Sequence, residues 1–291
     1  MKWLCVTGSL HLDVVVSTPF LPKADETVFG SAVNYMFGGK GGNQAVAAQR
    51  NGAKVYFVGR VGTDAYAEKL VKTLSKCSIE TNQLQHDLGE SGMSVAIVEQ
   101  SGDYAAAIVS GSNLRIDDSA VRIVNDTGIL LLQNEVLESV NLTTTQKAKL
   151  KGSEIWLNAA PARKLNSEFI SQLDVLILNK VEAEFYSGLI SAPEATHITK
   201  IVTLGANGVE VHFPDGTSRL YPAYQVKPLS THGAGDMFVG SLAASRLNGY
   251  SFDDSINYAQ AAAALHVSTK VDERDQISQK DVIKFINLGR D

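Results

Sequence analysis

The chain returns again and again to short, flat, apolar runs: KWLCVTG, KVYFVG, GILLLQ, EIWLN, DVLILN and KIVTLG, each bounded by Gly, Asn or Gln. A strand that alternates apolar and polar residues has one dry face. A strand that is apolar throughout is dry on both, the condition of a strand in a parallel sheet with helices on either side. The stretches between the runs supply those helices: NQAVAAQRNG, DAYAEKLVKTLSKC, LTTTQKAKLKG and EAEFYSG are amphipathic, and several stop at Gly or a polar cluster. The βαβα alternation predicts the α/β class, a three-layer α/β/α fold with a mostly parallel central sheet and right-handed crossovers. With 291 residues, no internal repeat and no linker, the chain reads as one domain over 1–291.

Two segments break the rhythm. Residues 13–37 (DVVVSTPFLPKADETVFGSAVNYMF) and 91–110 (SGMSVAIVEQSGDYAAAIVS) nearly alternate, with turn signals, which predicts half-covered antiparallel strands in a small inserted sheet. GVEVHF and TSRLY around the turn PDG at 214–216 predict a hairpin at the far edge of the main sheet.

Composition removes several classes of partner. The 26 Lys and Arg against 31 Asp and Glu give a formal charge of -5, and neither sign gathers into blocks, so no nucleic acid partner is expected. The two cysteines, Cys5 and Cys77, form no CxxC pair and no zinc-type spacing with histidine; both read as reduced, buried thiols. The N-terminal MKWLCVTGSLHLDVVV is interrupted by Thr7, Gly8, Ser9, His11 and Asp13 and lacks a secretory pattern. No run reaches the ~18 apolar residues of a membrane span. The expectation is a soluble cytoplasmic protein with no membrane partner.

Two glycine-rich stretches are the chemical candidates. In FGGKGGNQAVAAQRNG (37–52) four glycines flank Lys40, and Asn43 is expected to open a helix, so backbone amides can approach a ligand closely. The stretch is neither a P-loop nor a GxGxxG dinucleotide motif, and a tight strand-to-helix turn without a ligand is the alternative. In GAGD (233–236) the amides of Gly233, Ala234 and Gly235 fall at the N-terminus of an apolar helix, MFVGSLAASRLNG, where negative charge is favoured. Asp236 shares that turn. It is either a favourable first-turn carboxylate or, with amides aimed at a phosphate beside it, half of a phosphoryl-transfer site.

GGKGGNQAVAAQRNGAKVYFVGRVGTD and HGAGDMFVGSLAA, with LLQNE, NAAPAR, LNKVEAE and VTLGANGV in order between them, resemble the ribokinase-like carbohydrate kinases of the phosphofructokinase B type over nearly the whole chain. The resemblance implies a ribokinase-like fold in which the segments near 13–37 and 91–110 form a β-sheet lid that pairs into a homodimer. It implies Asp236 as general base for an acceptor hydroxyl, with the amides of Gly233, Ala234 and Gly235 as anion hole. Asp13, Gly39, Lys40, Asn43 and Glu135 match the sugar pocket. Asn179 and Glu182 match an NxxE motif that orders water around Mg²⁺. Thr203, Gly205 and Gly208 match the nucleotide loop, and Gln260 falls at an adenine-side position. The implied activity is ATP- and Mg²⁺-dependent phosphorylation of a hydroxymethyl group, with ribose, giving ribose 5-phosphate, as the leading acceptor. A nucleoside is the competing acceptor, and a non-catalytic sugar-binding regulator the reading from another class.

Three departures from the family pattern bear on these expectations. His11 stands where an asparagine is usual and is expected to contact substrate. Ser230 and His232 replace an acidic residue and a threonine at positions that, in the family, help hold an activating monovalent cation. After AAAALHVSTK the chain reads VDERDQIS, without the small Gly-Ala turn of that cation loop. Potassium activation is therefore expected to be weak or absent, with His232 or Lys270 supplying positive charge instead, or Asp275 restoring an acidic ligand.

Overall fold

In this computed structural model, residues 2–101 and 103–288 are described. The elements run β1 (Trp3–Thr7), β2 (His11–Thr18), β3 (Ala32–Gly38), α1 (Lys40–Arg50), β4 (Lys54–Val61), α2 (Ala65–Lys76), β5 (Glu80–His86), β6 (Gly92–Glu99) and β7 (Tyr104–Val109). They continue with β8 (Thr127–Gln133), α3 (Glu138–Lys149), β9 (Glu154–Asn158), α4 (Ser167–Ile170), β10 (Val175–Asn179), α5 (Lys180–Phe185), α6 (Ser187–Ile190) and β11 (Thr199–Thr203). The last are β12 (Val209–His212), β13 (Ser218–Tyr221), α7 (Ala234–Leu247), α8 (Phe252–Ser268) and α9 (Gln279–Leu288).

The main sheet has nine strands in the order β13-β12-β11-β10-β9-β8-β1-β4-β5. All pairings from β5 to β11 are parallel, and the β12–β13 hairpin closes one edge antiparallel. The α/β fold class holds, and the apolar runs are the reason: Leu4, Val6, Phe57, Leu131 and Trp156 pack into one layer of core, while Cys5, Val58, Leu130, Leu132 and Leu157 pack into the other. Alternate residues of the same strand thus feed opposite faces. Cys5 is buried, which pushes its thiol up to about 12 and leaves it unreactive; Cys77 is only half-buried. No helix among the described residues is long and apolar enough to cross a membrane.

Strand order reverses between β1 and β8: from β1 the sheet grows through β4 and β5, and then from β8 through β9, β10 and β11 in the other direction. Such a reversal leaves a crevice beyond the carboxyl ends of the strands, because successive connections depart to opposite sides. The chain after β1, the ends of β8 and β9, and the N-termini of α1 and α7 all meet there.

A second sheet of four strands, β3-β2-β6-β7, stands apart from the first. Cross-strand neighbours share a face. One face carries Val14, Val16, Val33, Tyr35, Val95 and Ile97; the other carries His11, Asp13, Met36 and Ser94. The apolar face is open in part, with Val33 and Tyr35 about half exposed.

Helix α1 begins at Lys40, three residues before Asn43, because Gly39 at φ +86° and ψ 131° serves as its N-cap. Close approach explains the surrounding glycines. A Cβ on Gly41 would lie 2.7 Å from the Ser9 nitrogen and 2.8 Å from Gly8, so the β1–β2 turn and the first turn of α1 interpenetrate only with bare backbone at both positions.

Candidate active site

Gly240 of α7 lies against α1: a Cβ there would meet the Gln44 carbonyl at 2.5 Å and the Ala47 methyl at 2.7 Å. One turn earlier on α7 is Asp236, and the close crossing brings two side chains of α1 onto its carboxylate. Gln44 Nε2 donates to Oδ1 at 2.9 Å, and Asn43 Nδ2 reaches Oδ2 at 3.4 Å. Gln44 is itself held. Its Nε2 also donates to Asn158 Oδ1 at 2.9 Å, and its Oε1 accepts from Gln133 Nε2 at 2.7 Å. Gln44 is fully buried, so this amide chain joins the ends of β8 and β9 to the carboxylate through a dry network in which each bond carries weight.

Sequence reading overlooked Gln44. The GGNQ string hints at it, but its two partners lie 89 and 114 residues away. We expect Gln44→Leu to lower kcat by about 10²-fold, the scale on which a catalytic group is misplaced by an ångström. The KM values should change little. Because the Gln44 bond favours ionised Asp236, its loss raises the carboxyl further and moves the acid limb of the pH–rate profile upward. An unmoved profile would leave Gln44 a packing residue.

Around Asp236 the carboxylates crowd. Burial pushes Asp236 above the ordinary carboxylate value; the Lys40 ammonium and the Gln44 and Asn43 bonds pull it back, while Glu135 adds repulsion. Asp13, on β2 and hard against Gly38, is pushed up to about 6 by burial and the nearby Glu135. Glu135 accepts from the Ser9 hydroxyl and from the Lys40 backbone N–H at 2.8 Å. Burial works against the charge on Lys40, yet Asp236, Glu135 and Glu182 more than offset it and hold the ammonium above its usual value. His11 is buried; burial keeps it neutral against the opposing pull of Glu135, and its Nε2 has no partner among the described residues.

At the start of α7, Gly233 adopts the left-handed conformation, φ 75°, as N-cap. Among the described residues the amides of Gly233, Gly235 and Asp236 have no carbonyl partner, whereas Ala234 N–H donates to the Thr231 carbonyl at 3.2 Å. The open donors of this turn are therefore Gly233, Gly235 and Asp236 rather than the Gly233–Ala234–Gly235 set. Nothing stands within 4 Å of a Cβ built on Gly235.

A small polar space of about 150 Å³ runs from Lys40 and Asp236 past Gly233–Gly235 to Asn158, Asn179, Glu182 and Thr203. Asn179 and Glu182 cap α5 reciprocally: Asn179 Oδ1 accepts from Glu182 N–H and Glu182 Oε2 accepts from Asn179 N–H, both at 2.8 Å. Glu182 is 7 % exposed, not a solvated helix residue, and burial raises its carboxyl. Thr203, Ala234 and Gly235 also line an apolar cleft of about 310 Å³ with Gly205, Gly208, Tyr224, Phe238 and Gln260. Both loop glycines have positive φ, 60° and 97°. On the other side, Asn43, Gly233 and Asp236 open to a third cleft of about 610 Å³ that reaches Met36 and Phe37 and extends to Arg50, Lys76 and Arg274. Ala234 and Gly235 at the α7 N-terminus thus lie between an apolar slot and a polar space, and Asp236 opens to that polar space and to the wider cleft.

The departing positions behave differently from expectation. Lys270 is exposed and pairs with Glu273 at 3.7 Å, Asp275 is exposed, and His232 contributes its carbonyl, not its ring. The positive charge at the Ser230 and His232 carbonyls belongs to Arg274.

Comparison with known proteins agrees with this arrangement. The model of the pfkB family of carbohydrate kinases matches residues 1–276. Ribokinase of Haemophilus influenzae is 33% identical, with 98% of each chain aligned. The structure of Arabidopsis thaliana ribokinase complexed with ribose and ATP superposes with a TM-score of 0.88 at 25% identity, over 98% of each chain. A Methanocaldococcus jannaschii nucleoside kinase shares the fold, with a TM-score of 0.88 at 18% identity over 99% of each chain. A family match over residues 1–276, with a relative a third identical along 98% of both chains, leaves one conclusion: this chain belongs to the pfkB family of carbohydrate kinases.

Proposed function

We propose that the protein transfers the γ-phosphoryl group of ATP to a hydroxymethyl group of a small sugar, with ribose, giving ribose 5-phosphate, as its best acceptor. The observation that carries this reading is the position of Asp236 beside open N–H groups, in a polar space that shares Thr203, Ala234 and Gly235 with the apolar slot. Asp13, Glu135, Lys40, Asn43 and His11 bind and orient the acceptor, since convergent donors and acceptors suit a polyol. Asp236 takes the proton from the acceptor oxygen. The amides of Gly233, Gly235 and Asp236 face the phosphoryl oxygens as charge builds on them. ATP lies in the slot of Gly205, Gly208 and Gln260, its base against apolar surface and its phosphates toward Thr203 and Lys40. The A. thaliana relative bound to ribose and ATP supports this choice of substrates.

Mg²⁺ fits the same space. It keeps several waters and takes one or two carboxylates with substrate phosphates, and Glu182 and Asp236 are the two carboxylates lining the polar channel. Glu182 would hold it through water. When bound, the ion neutralises charge on the phosphates. Two unpaired thiols and an ATP-dependent reaction suit the reducing cytoplasm.

The four-stranded sheet would act as a lid within a single kinase domain, its Asp13 face toward the acceptor and away from water. Its apolar face and its free edges β3 and β7 suit pairing with the lid of a second copy. We expect a dimer in solution by light scattering; a monomer at assay concentration would remove this part of the reading.

A nucleoside acceptor is the second reading, favoured by the unpartnered Nε2 of His11, a buried polar atom free to meet a larger acceptor. ATP consumption with a panel of pentoses, hexoses and nucleosides tests both. Ribose should give the highest kcat/KM. A nucleoside exceeding it by more than about tenfold, or 1.4 kcal/mol of transition-state binding, would reassign the acceptor. ATP consumption with none of them would remove the kinase reading and leave the sugar-binding regulator.

A further inference from the structure

Arg274 lies in the short 3-10 turn Val271–Gln276 and is 6 % exposed. A buried guanidinium is usually paired with a carboxylate, but among the described residues Arg274 has none. Its partners are main-chain carbonyls. Nη2 donates to Ser230 O at 2.6 Å, Nη1 to His232 O at 3.0 Å and Nε to Thr269 O at 3.2 Å. His266 Nε2 donates to the same His232 carbonyl at 2.9 Å, and burial, which pushes this imidazole down to about 4, keeps it neutral. Carbonyl oxygens from two chain segments converging on one dehydrated positive charge form the ligand set of a monovalent metal ion. Here a tethered guanidinium fills it, so these residues do not fit a bound potassium ion at this place.

The contact has a geometric consequence one peptide further on. In a trans peptide the C=O and the following N–H point in opposite directions. With the His232 carbonyl drawn toward Arg274, the Gly233 N–H points away from it. That N–H has no partner among the described residues, and Gly233 lines the spaces on both sides of Asp236. A buried unpaired charge close to the α7 N-terminus also adds to the positive potential where the phosphoryl group passes.

We propose that Arg274 is a built-in cation that takes the place of a monovalent metal ion, holds the turn Ser230–Gly233 so that the Gly233 amide faces the transferring phosphoryl group, and frees the enzyme from potassium. This inference rests on the kinase reading of the site and explains a departure that Ser230 and His232 alone left open. Arg274 acts through the turn, as a positioning residue.

The test begins with the unaltered protein, in buffer whose only monovalent cation is tetramethylammonium and then with saturating potassium. Turnover should agree within about twofold. Arg274→Ala should lose about 10²-fold in kcat, the scale of one lost oxyanion donor, with acceptor KM little changed. Because the variant opens a carbonyl-lined hole, guanidinium ion or potassium at non-denaturing concentration should recover about tenfold of that loss. Arg274→Lys, which keeps the charge but not the three-way fork, should fall between, and stands in if the alanine variant does not fold. Strong potassium dependence of the unaltered protein overturns the proposal. So does full activity in either variant, or a folded alanine variant that neither cation restores. Failure of the kinase reading itself looks different: the unaltered protein would turn over no acceptor in either buffer.

Discussion

Asp236→Asn is expected to lower kcat by about 10³-fold or more, within the range that a positioned general base supplies together with its alignment. The substitution keeps shape and an oxygen able to accept from Gln44, so the fold should be untouched. The sign of the stability effect is a sharper test. Burial raises the Asp236 carboxyl in the folded chain, so the folded state binds the proton more tightly than the unfolded one. Such a group stabilises below the unfolded value, and that stabilisation is lost as pH rises through the folded value. Above the folded value the native protein therefore holds a carboxylate in a place that disfavours it, and the asparagine variant does not. Its melting temperature at pH 7–8 should be equal or higher while turnover collapses. Steady-state assay and thermal melts on the same preparation check both halves; retention of more than about a tenth of the activity would remove Asp236 from the role of base.

Gly39→Ala has the second largest expected effect, and it strikes the fold and the acceptor pocket together. At φ +86° and ψ 131° the residue sits where side chains are strained, and an added Cβ would lie 2.8 Å from Ser9 O and 2.9 Å from His11 N and Leu10 Cα. All three atoms are backbone, so no side chain can swing aside. Strain and overpacking together cost about 3 kcal/mol. Relief by shifting the N-terminus of α1 would displace Lys40 and Asn43 from the pocket. Urea unfolding should show the lower midpoint with unchanged slope, and acceptor KM should rise at least about tenfold. Native stability with native KM would mean that the turn is softer than its contacts imply.

How far these features were legible beforehand differs from residue to residue. KWLCVTG, GILLLQ and EIWLN announced β1, β8 and β9 because burial on both faces writes itself into consecutive residues. GAGD announced the α7 N-terminus because a left-handed N-cap needs glycine. The start of α1 was misjudged by three residues, since Gly39 caps the helix through backbone conformation that Lys40 and the two following glycines do not advertise. Ala234 looked equivalent to its glycine neighbours, but its amide is spent on Thr231. Glu182 was legible only through the NxxE resemblance, and its burial in the polar channel is a product of the fold. His232 and Lys270 were candidates for a compensating charge because they are basic side chains in the two departing segments; Arg274, one turn beyond Lys270, supplies it.

What the amino-acid sequence determined by itself was the layered α/β fold, the two glycine turns and the carboxylate at the head of α7, because hydrophobic period and backbone permissiveness are local properties of a chain. Which groups serve that carboxylate was decided only in three dimensions. Gln44 reaches Asp236 because α1 and α7 touch at Gly240, and Arg274 reaches Ser230 and His232 across separations of 44 and 42 residues. A hydrogen bond requires its atoms within about 3 Å, and at such separations only the packing of whole elements can bring them that close.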